Sequence, residues 1–293
     1  MITPKYTPLF LFFRYAIALC FGALLASILP YTNCSPATDQ VEVAGATAES
    51  NTPNPIPQAS SLFLQDLTWI DVRDRIRSGT KTAIIPTGGI EQNGPFVALN
   101  KHDLIVREVS ARAAKQLGNA LIAPVVSFVP EGEFVPPSGH LSYPGTLSVT
   151  ENNFQGLLVD IGRSLAIHGF TTIALLGDSG DSQRGLQAAA ERLQTVTGKK
   201  VSVKWMSSYY DYAELRAVLQ ARGLVKAPEL FHEELAFTAQ LAAIDPHSIR
   251  LAERLAAGHT TLNGFDLSDK KRLLALGEEL LALRAEKLAA ALR

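Results

Sequence analysis

Cysteine is nearly absent. The 293-residue chain has two, Cys20 and Cys34, both ahead of the part of the sequence that reads as globular. No disulfide can therefore staple the folded region, and no thiolate can ligate a metal inside it. A charge excess of either sign is missing too. Lys and Arg number 27 against 28 Asp and Glu, a net charge of -1, so the chain has neither the basic surface that nucleic acid requires nor a strong acidic field. Nucleic acid is not an expected partner. There is no internal repeat, no P-loop lysine and no dinucleotide fingerprint. What is there is 47% apolar and 19% charged, ordinary for a chain able to bury a substantial core in one large α/β domain or two small ones.

The first sixty residues stand apart. Lys5 and Arg14 precede "YAIALCFGALLASILPY", residues 15–31, which has the length of a signal-peptide core or a short membrane span. The Pro-, Ser-, Thr- and Asn-rich stretch after it has little to pack and reads as a linker. Residues 1–32 are thus expected to be a signal peptide or membrane anchor, 33–60 a disordered linker and 61–293 the α/β domain. That predicts an exported protein, periplasmic or tethered with its domain outside the cytoplasm. Asn33 spoils "YTNC" as a lipoprotein box and Ala44-Gly-Ala46 is a weak small-x-small site, so cleavage and anchoring both stay open.

From residue 61 helical and strand patterns alternate. Helical spacing is expected over 61–79, 103–118, 151–169, 181–198, 213–223 and 233–244, and from Ser268 onward. Short apolar strands are expected at 82–88, 120–128, 171–177 and 201–209. Continuous apolar strands between helices predict a three-layer α/β/α sandwich with a largely parallel sheet. The Pro/Gly-rich loop "VPEGEFVPPSGHLSYPGT" (129–146) is too long for a plain connection and is expected to be functional. Trp69, Trp205 and the tyrosines from Tyr209 read as packing or oligomer contacts, and His168 and His247 as structural.

In parallel sheets ligands gather beyond the carboxyl ends of the strands. Polar chemistry sits in those places: Glu91 to Asp103 after the first strand, His140 in the long loop, Gly177-Asp-Ser-Gly-Asp181 after the third strand, and His232-Glu-Glu234 opening a later helix. Each alone has a structural explanation, as a cap, a loop histidine or a solvated face. Their joint placement on one rim is the functional signal. The "GDSG" tetrapeptide matches the nucleophile region of all-β serine proteases, but here it joins a strand to a helix, and Asp181 breaks the Gly-x-Ser-x-Gly elbow. A Ser179 nucleophile with His140 or His232 as base stays open behind the other readings.

The order Gly-x-x-Glu-Gln-x-Gly-Pro, a His before Tyr143-Pro-Gly-Thr146, a Gly-rich turn after a strand, and a His near "TAQLAAIDP" resembles the creatininase family of metal-dependent amidohydrolases, over roughly residues 65–250. The resemblance implies an α/β sandwich, usually oligomeric, with a Zn or Mn site that activates water against a cyclic or linear amide. It also exposes departures. Glu91 is kept where the family has Glu-x-His-Gly-x-His, but Asn93 and Phe96 replace the histidines, and His102 stands where a ligand Asp is expected. Ser179 replaces a ligand histidine in the turn, and Phe237 a glutamate in the later helix.

Two accounts of that pattern compete. In one, ligands have been exchanged, and Glu91, His102, Asp178, His232 and Glu234 are the candidate ligands of one divalent ion, Zn, Mn or Fe. His140 is then the candidate for substrate contact or proton transfer, Asp103 for a group holding His102, and Asn93, Tyr143 and Ser179 for contacts to a small amide. In the other, the pocket is metal-free and binds a small molecule without turning it over. Creatinine itself is doubtful as a substrate, because the first-block and turn histidines are both replaced. A homo-oligomer is expected.

Overall fold

The computed structural model describes residues 51–224 and 232–293. The apolar segment 15–31 and most of the expected linker lie outside the described residues. Among the described residues, no helix is long and apolar enough to cross a membrane.

The run Thr82-Ala-Ile-Ile-Pro-Thr87 has no charge on either face, and such a strand needs cover on both sides. It forms β1 (Thr82–Thr87), buried at every position, near the middle of a parallel sheet. Its partners are β2 (Ala120–Ile122), β3 (Thr172–Gly177) and β4 (Ser202–Trp205), in the order β2-β1-β3-β4. Alternation along the strands feeds two cores. Ile84, Ala174 and Leu176 pack beneath α2 (Lys101–Leu117), α7 (Leu235–Ile244) and α9 (Lys270–Leu292). Ala83, Ile85, Ile173 and Leu175 pack on the opposite side, against α1 (Trp69–Arg77), α3 (Glu151–Ile167) and α4 (Gln183–Thr197). The expected three-layer α/β/α arrangement is what forms.

Strand order reverses between β1 and β3, because the chain steps from β1 out to β2 and then returns to the other side of β1. A doubly wound sheet opens a crevice at the carboxyl ends of the strands flanking such a point. Glu91 follows β1 and Asp178 follows β3, so the topology itself brings them together.

Several elements are shorter than their patterns predict, each for a local reason. The second strand was expected over 120–128 but ends at Ile122; Pro124 has no N–H to continue the ladder, and the chain rejoins β1 only at the bridge between Thr87 and Val126. This also accommodates Pro86 inside β1, whose carbonyl accepts from Val126 N at 2.9 Å on the side where β2 has already ended. The fourth strand stops at Trp205, and Ser207–Tyr210 turns into the short helix α5, followed by α6 (Ala213–Gln220). The helical expectation over 61–79 resolves into a single 3-10 turn at Leu64–Asp66 and α1, which starts at Trp69 because Thr68 and Asp71 form a reciprocal capping box. Residues 51–60 run along α1, with Asn54 Nδ2 and Ala59 N both donating to Asp71 Oδ1 at 3.1 and 3.4 Å.

Beyond α7 come α8 (Leu251–Ala256) and a small hairpin, β5 (Thr261–Leu262) and β6 (Phe265–Asp266). Asn263 and Gly264 turn it with positive φ angles of 50° and 78°, the torsions that an Asn-Gly pair tolerates in a two-residue turn. Asn263 Oδ1 accepts from Leu235 N at 3.2 Å, which ties the hairpin to the start of α7.

Helices α7 and α9 touch at Gly277. A Cβ there would lie 2.0 Å from the carbonyl oxygen of Ala239, a backbone atom that cannot swing aside. Gly277→Ala is expected to destabilise the domain by about 1–3 kcal/mol, the usual range for overpacking, read as a lower midpoint in urea unfolding. An unchanged midpoint would mean that the two helices separate at little cost.

Candidate active site

The loop that leaves β1 is shaped by its own polar residues. Asn93 turns its amide inward, donating to the carbonyls of Glu91 at 2.8 Å and Ala98 at 3.2 Å. Gln92 N donates to Thr146 Oγ1 at 3.1 Å, so the "EQNGP" and "YPGT" blocks, distant in sequence, brace each other. Asp103, at the start of α2, accepts from Gly89 N at 3.0 Å through Oδ1. A Cβ on Gly88 would fall 1.8 Å from that oxygen, so only glycine lets the loop pass so close to α2. These contacts aim Glu91 into the crevice, where it is 2% exposed.

Glu91 is the hub. Its Oε1 faces His102 Nε2 at 2.8 Å, His232 Nε2 at 3.2 Å and Lys101 Nζ at 3.3 Å; its Oε2 faces His140 Nε2 at 3.6 Å. Burial would raise this carboxyl's pKa, but the charge and hydrogen bond of His102, with His232 and Lys101, outweigh it and hold it well below the usual carboxylate range. His102 bridges two carboxylates, its Nδ1 lying 2.7 Å from Asp178 Oδ2. Burial and Lys101 push its pKa down, Glu91 and Asp178 push it up more, and the net shift is upward.

Asp178 is wholly buried behind His102. Its Oδ1 accepts from Tyr209 OH at 3.0 Å and from the guanidinium of Arg284, and Tyr212 OH donates to its carbonyl at 3.0 Å. Arg284 leads, with His102, in holding this carboxyl below its ordinary range against the effect of burial. The guanidinium also lies over the Tyr209 ring, 4.3 Å from its centroid. The support expected of Asp103, fixing the His102 ring, is therefore supplied by Asp178.

A second acidic group completes the centre from the long loop. Glu131 is fully buried beside Glu91 and Ser179, and among the described residues neither of its oxygens meets a donor in hydrogen-bond geometry. Burial first, and then the nearby charge of Glu91, push its carboxyl up to about 10. His140 follows in the same loop; burial lowers its pKa, and its ring lies 4.7 Å from that of His232.

The residues singled out in the sequence divide clearly. Glu91, His102, His140, Asp178, Ser179, His232 and Glu234 line one cavity of about 170 Å³. One ligand atom each from Glu91, His102 and His232 lies within 4.8 Å of the others, and the same holds for Glu91, Glu131 and His140. Asp178 and Glu234 belong to neither group. Asn93 is buried in the loop, and Tyr143 is 45% exposed and does not line the cavity. Ser179 lies in the turn after β3, where its carbonyl accepts from Ser182 Oγ and Gln183 Nε2, while the imidazoles of His102 and His140 engage carboxylates and the Gln92 amide.

Lys101, Glu131 and Arg284 are not marked by the sequence pattern as site residues, and Tyr209, expected as a packing or oligomer contact, instead donates to Asp178. Arg284 carried a signal: it interrupts the apolar stripe Leu273, Leu276, Leu280, Leu281 and Leu288 of α9 at a position that must face inward. Glu131 sits in the loop already marked as functional, but an acidic residue there looks no different from its exposed neighbour Glu133.

The fold and the site together define a parallel α/β protein with a carboxylate–imidazole centre at its strand ends. The family model described as "Creatinine amidohydrolase" matches residues 65–290, and the chain belongs to this creatininase family. It is 27% identical to creatinine amidohydrolase of Pseudomonas putida over 166 residues, 55% of this chain and 63% of the relative. It is 29% identical to the mycofactocin precursor peptide peptidase of Mycolicibacterium smegmatis over 125 residues, 41% of this chain and 48% of that one. The match thus spans less than two thirds of either relative. Among solved structures, a manganese creatininase superposes with a TM-score of 0.62 at 24% identity, covering 80% of this chain and 98% of its own. A mutant creatininase of Zn-Zn type gives 0.61 at 24%, with the same coverage.

Removing the positive partner from Asp178 would strand a buried carboxylate. Arg284→Met is expected to cost about 3–5 kcal/mol of folding stability, measured by urea unfolding at pH 7. The folded Asp178 carboxyl is held below its unfolded value, so its stabilisation is complete above about pH 4 and is lost only as pH falls toward the folded pKa. In the variant the stranded carboxyl can relieve itself by taking up a proton, so the wild-type advantage should be largest at about pH 7 to 8 and narrow as pH falls; a gap below about 1 kcal/mol at pH 7 would show that Asp178 does not depend on Arg284.

Proposed function

We propose that the chain is a metal-dependent amidohydrolase that hydrolyses a C–N bond in a small cyclic or linear amide. The observation that carries this reading is Glu91, a buried carboxylate shared by two candidate ligand groups at the strand-end crevice. Both named relatives cleave amide-type bonds by their names, which supports the reaction class. The residues fit a divalent ion. Carboxylate oxygens and imidazole nitrogens without thiolates suit Zn, Mn or Fe, and the Glu131 oxygens, which meet no hydrogen-bond donor among the described residues, need a cation or a proton. Such an ion, when bound, lowers the pKa of water and polarises a carbonyl.

The protein's own groups set the geometry. Asp178 holds the His102 ring, and His102 and Lys101 hold Glu91. The His232 imidazole is the group placed to pass a proton between the reacting amide and solvent, because this side chain lines the cavity, is 39% exposed and reaches Glu91 Oε1 through Nε2 at 3.2 Å. The small cavity accommodates one amide group. A neighbouring cavity of about 330 Å³ shares Tyr210, Tyr212, Glu234 and Phe237 with it and offers room for the remainder of a larger substrate. The apolar segment 15–31 supports export of the domain, and family kinship supports a homo-oligomer.

The test is a screen of creatinine, other cyclic amides and short peptides with Mn(II)- or Zn(II)-loaded protein, following the released amine by mass spectrometry. At least one substrate should turn over, with activity lost to a chelator and restored by metal. His232→Ala should lower kcat by about 10²–10⁴-fold, the range for a lost proton-transfer group. Binding of these compounds without turnover at any metal loading would favour a non-catalytic binding protein, and turnover insensitive to chelator would redirect attention to Ser179.

A further inference from the structure

We propose that the divalent ion is held by Glu91, Glu131 and His140, and that the Lys101 ammonium takes the place of a second cation on the opposite face of Glu91. This rests on the metal-dependent reading above and assigns its ligands.

The two oxygens of Glu91 have different surroundings. Three nitrogens already crowd Oε1: His102 Nε2 at 2.8 Å, His232 Nε2 at 3.2 Å and Lys101 Nζ at 3.3 Å. Both nitrogens of His102 are engaged by carboxylates, at 2.7 and 2.8 Å, so His102 can ligate an ion only by giving up Glu91. Lys101 is 2% exposed, and the Phe237 ring 5.0 Å away offers its charge little screening. An ion bound to Oε1 would meet that ammonium at close range with no water to weaken the repulsion.

The face carrying Oε2 is the reverse. Among the described residues, His140 Nε2 is the one nitrogen paired with it, at 3.6 Å, and the Gln92 amide 3.5 Å from Nδ1 helps keep Nε2 turned inward. Glu131 stands beside it, fully buried, its oxygens meeting no hydrogen-bond donor among the described residues. It lies close over the bare backbone of the loop after β1, where a Cβ on Gly89 would fall 2.6 Å from Glu131 Oε1. The charges give the same answer. Lys101 and His102 pair with Glu91, and Arg284 and His102 with Asp178, so among the described residues none of these cations is spent on Glu131. Two carboxylates and one imidazole are the number and kind of protein ligands that a catalytic divalent ion takes, and Glu91 and His140 among them line the cavity.

The experiment measures Mn(II) binding to the purified full chain after metal removal, by elemental analysis and by the loss of the free Mn(II) electron-spin signal. Wild type should bind one equivalent. Glu131→Gln, nearly isosteric, should weaken binding by about tenfold or more. His232→Ala should keep wild-type affinity, and Lys101→Met should admit a second equivalent. Circular dichroism guards against misfolded variants, and an anomalous-scattering map of Mn-soaked wild-type crystals locates the ion without any substitution. A peak beside His102 and His232, or binding lost in His232→Ala and kept in Glu131→Gln, overturns this ligand assignment and leaves the metal-dependent reading standing. No Mn(II) or Zn(II) bound by wild type overturns both, and a Lys101→Met protein that still takes one equivalent overturns the role given to Lys101.

Discussion

A carboxylate buried at the ends of two parallel strands has lost its water, and the rest of this molecule is organised around replacing what water would have supplied. Glu91 receives two imidazoles and an ammonium on one oxygen and a third imidazole near the other. The four partners come from three segments: Lys101 and His102 from α2, His140 from the loop after β2, and His232 from the residues leading into α7. Desolvation makes these contacts strong, and it would make the loss of any one of them expensive.

That demand reaches well beyond the site. The His102 ring is steadied by Asp178, and Asp178 by Arg284 from the last helix, more than a hundred positions away in sequence. Helix α9 therefore covers one face of the sheet and also delivers charge to the back of the centre. Its close seating on α7, through the bare backbone at Gly277, bears on how α7 lies, and the residues before α7 carry His232 and Glu234. Packing and chemistry share these two helices.

The family resemblance and its departures also find a physical account. The "EQNGP" and "YPGT" blocks are in contact, and their contact shapes the loop that aims Glu91. They persist here although Asn93 and Phe96 stand where the family has histidines. Asn93 spends its amide on backbone carbonyls of that loop, and Phe96 lies under the guanidinium of Arg254, which pairs with Glu233 beside the entry to α7. Both side chains serve the structure of this region, while Glu131 and Lys101 stand at the centre itself.

Much of this was legible in the linear sequence. Apolar runs bounded by glycine and proline specified a parallel sheet between helices, and polar clusters after the strands marked the rim, because strand periodicity and turn chemistry are local properties. Strand ends were less legible, since a single Pro124 outweighed the apolar character that continues through Phe128. Which polar residues would face each other was not a local property at all. Lys101 and Glu131 look like surface charges in their own neighbourhoods, and Arg284, though its place in an apolar stripe turns it inward, gives no sign of which carboxylate it meets; only the crossing of loops and helices over the sheet decides these pairings. The sequence by itself thus determined the fold class and the edge on which chemistry would sit. Tertiary structure alone decided which charges are buried and what compensates them, because desolvation depends on every neighbour in space and not on neighbours along the chain.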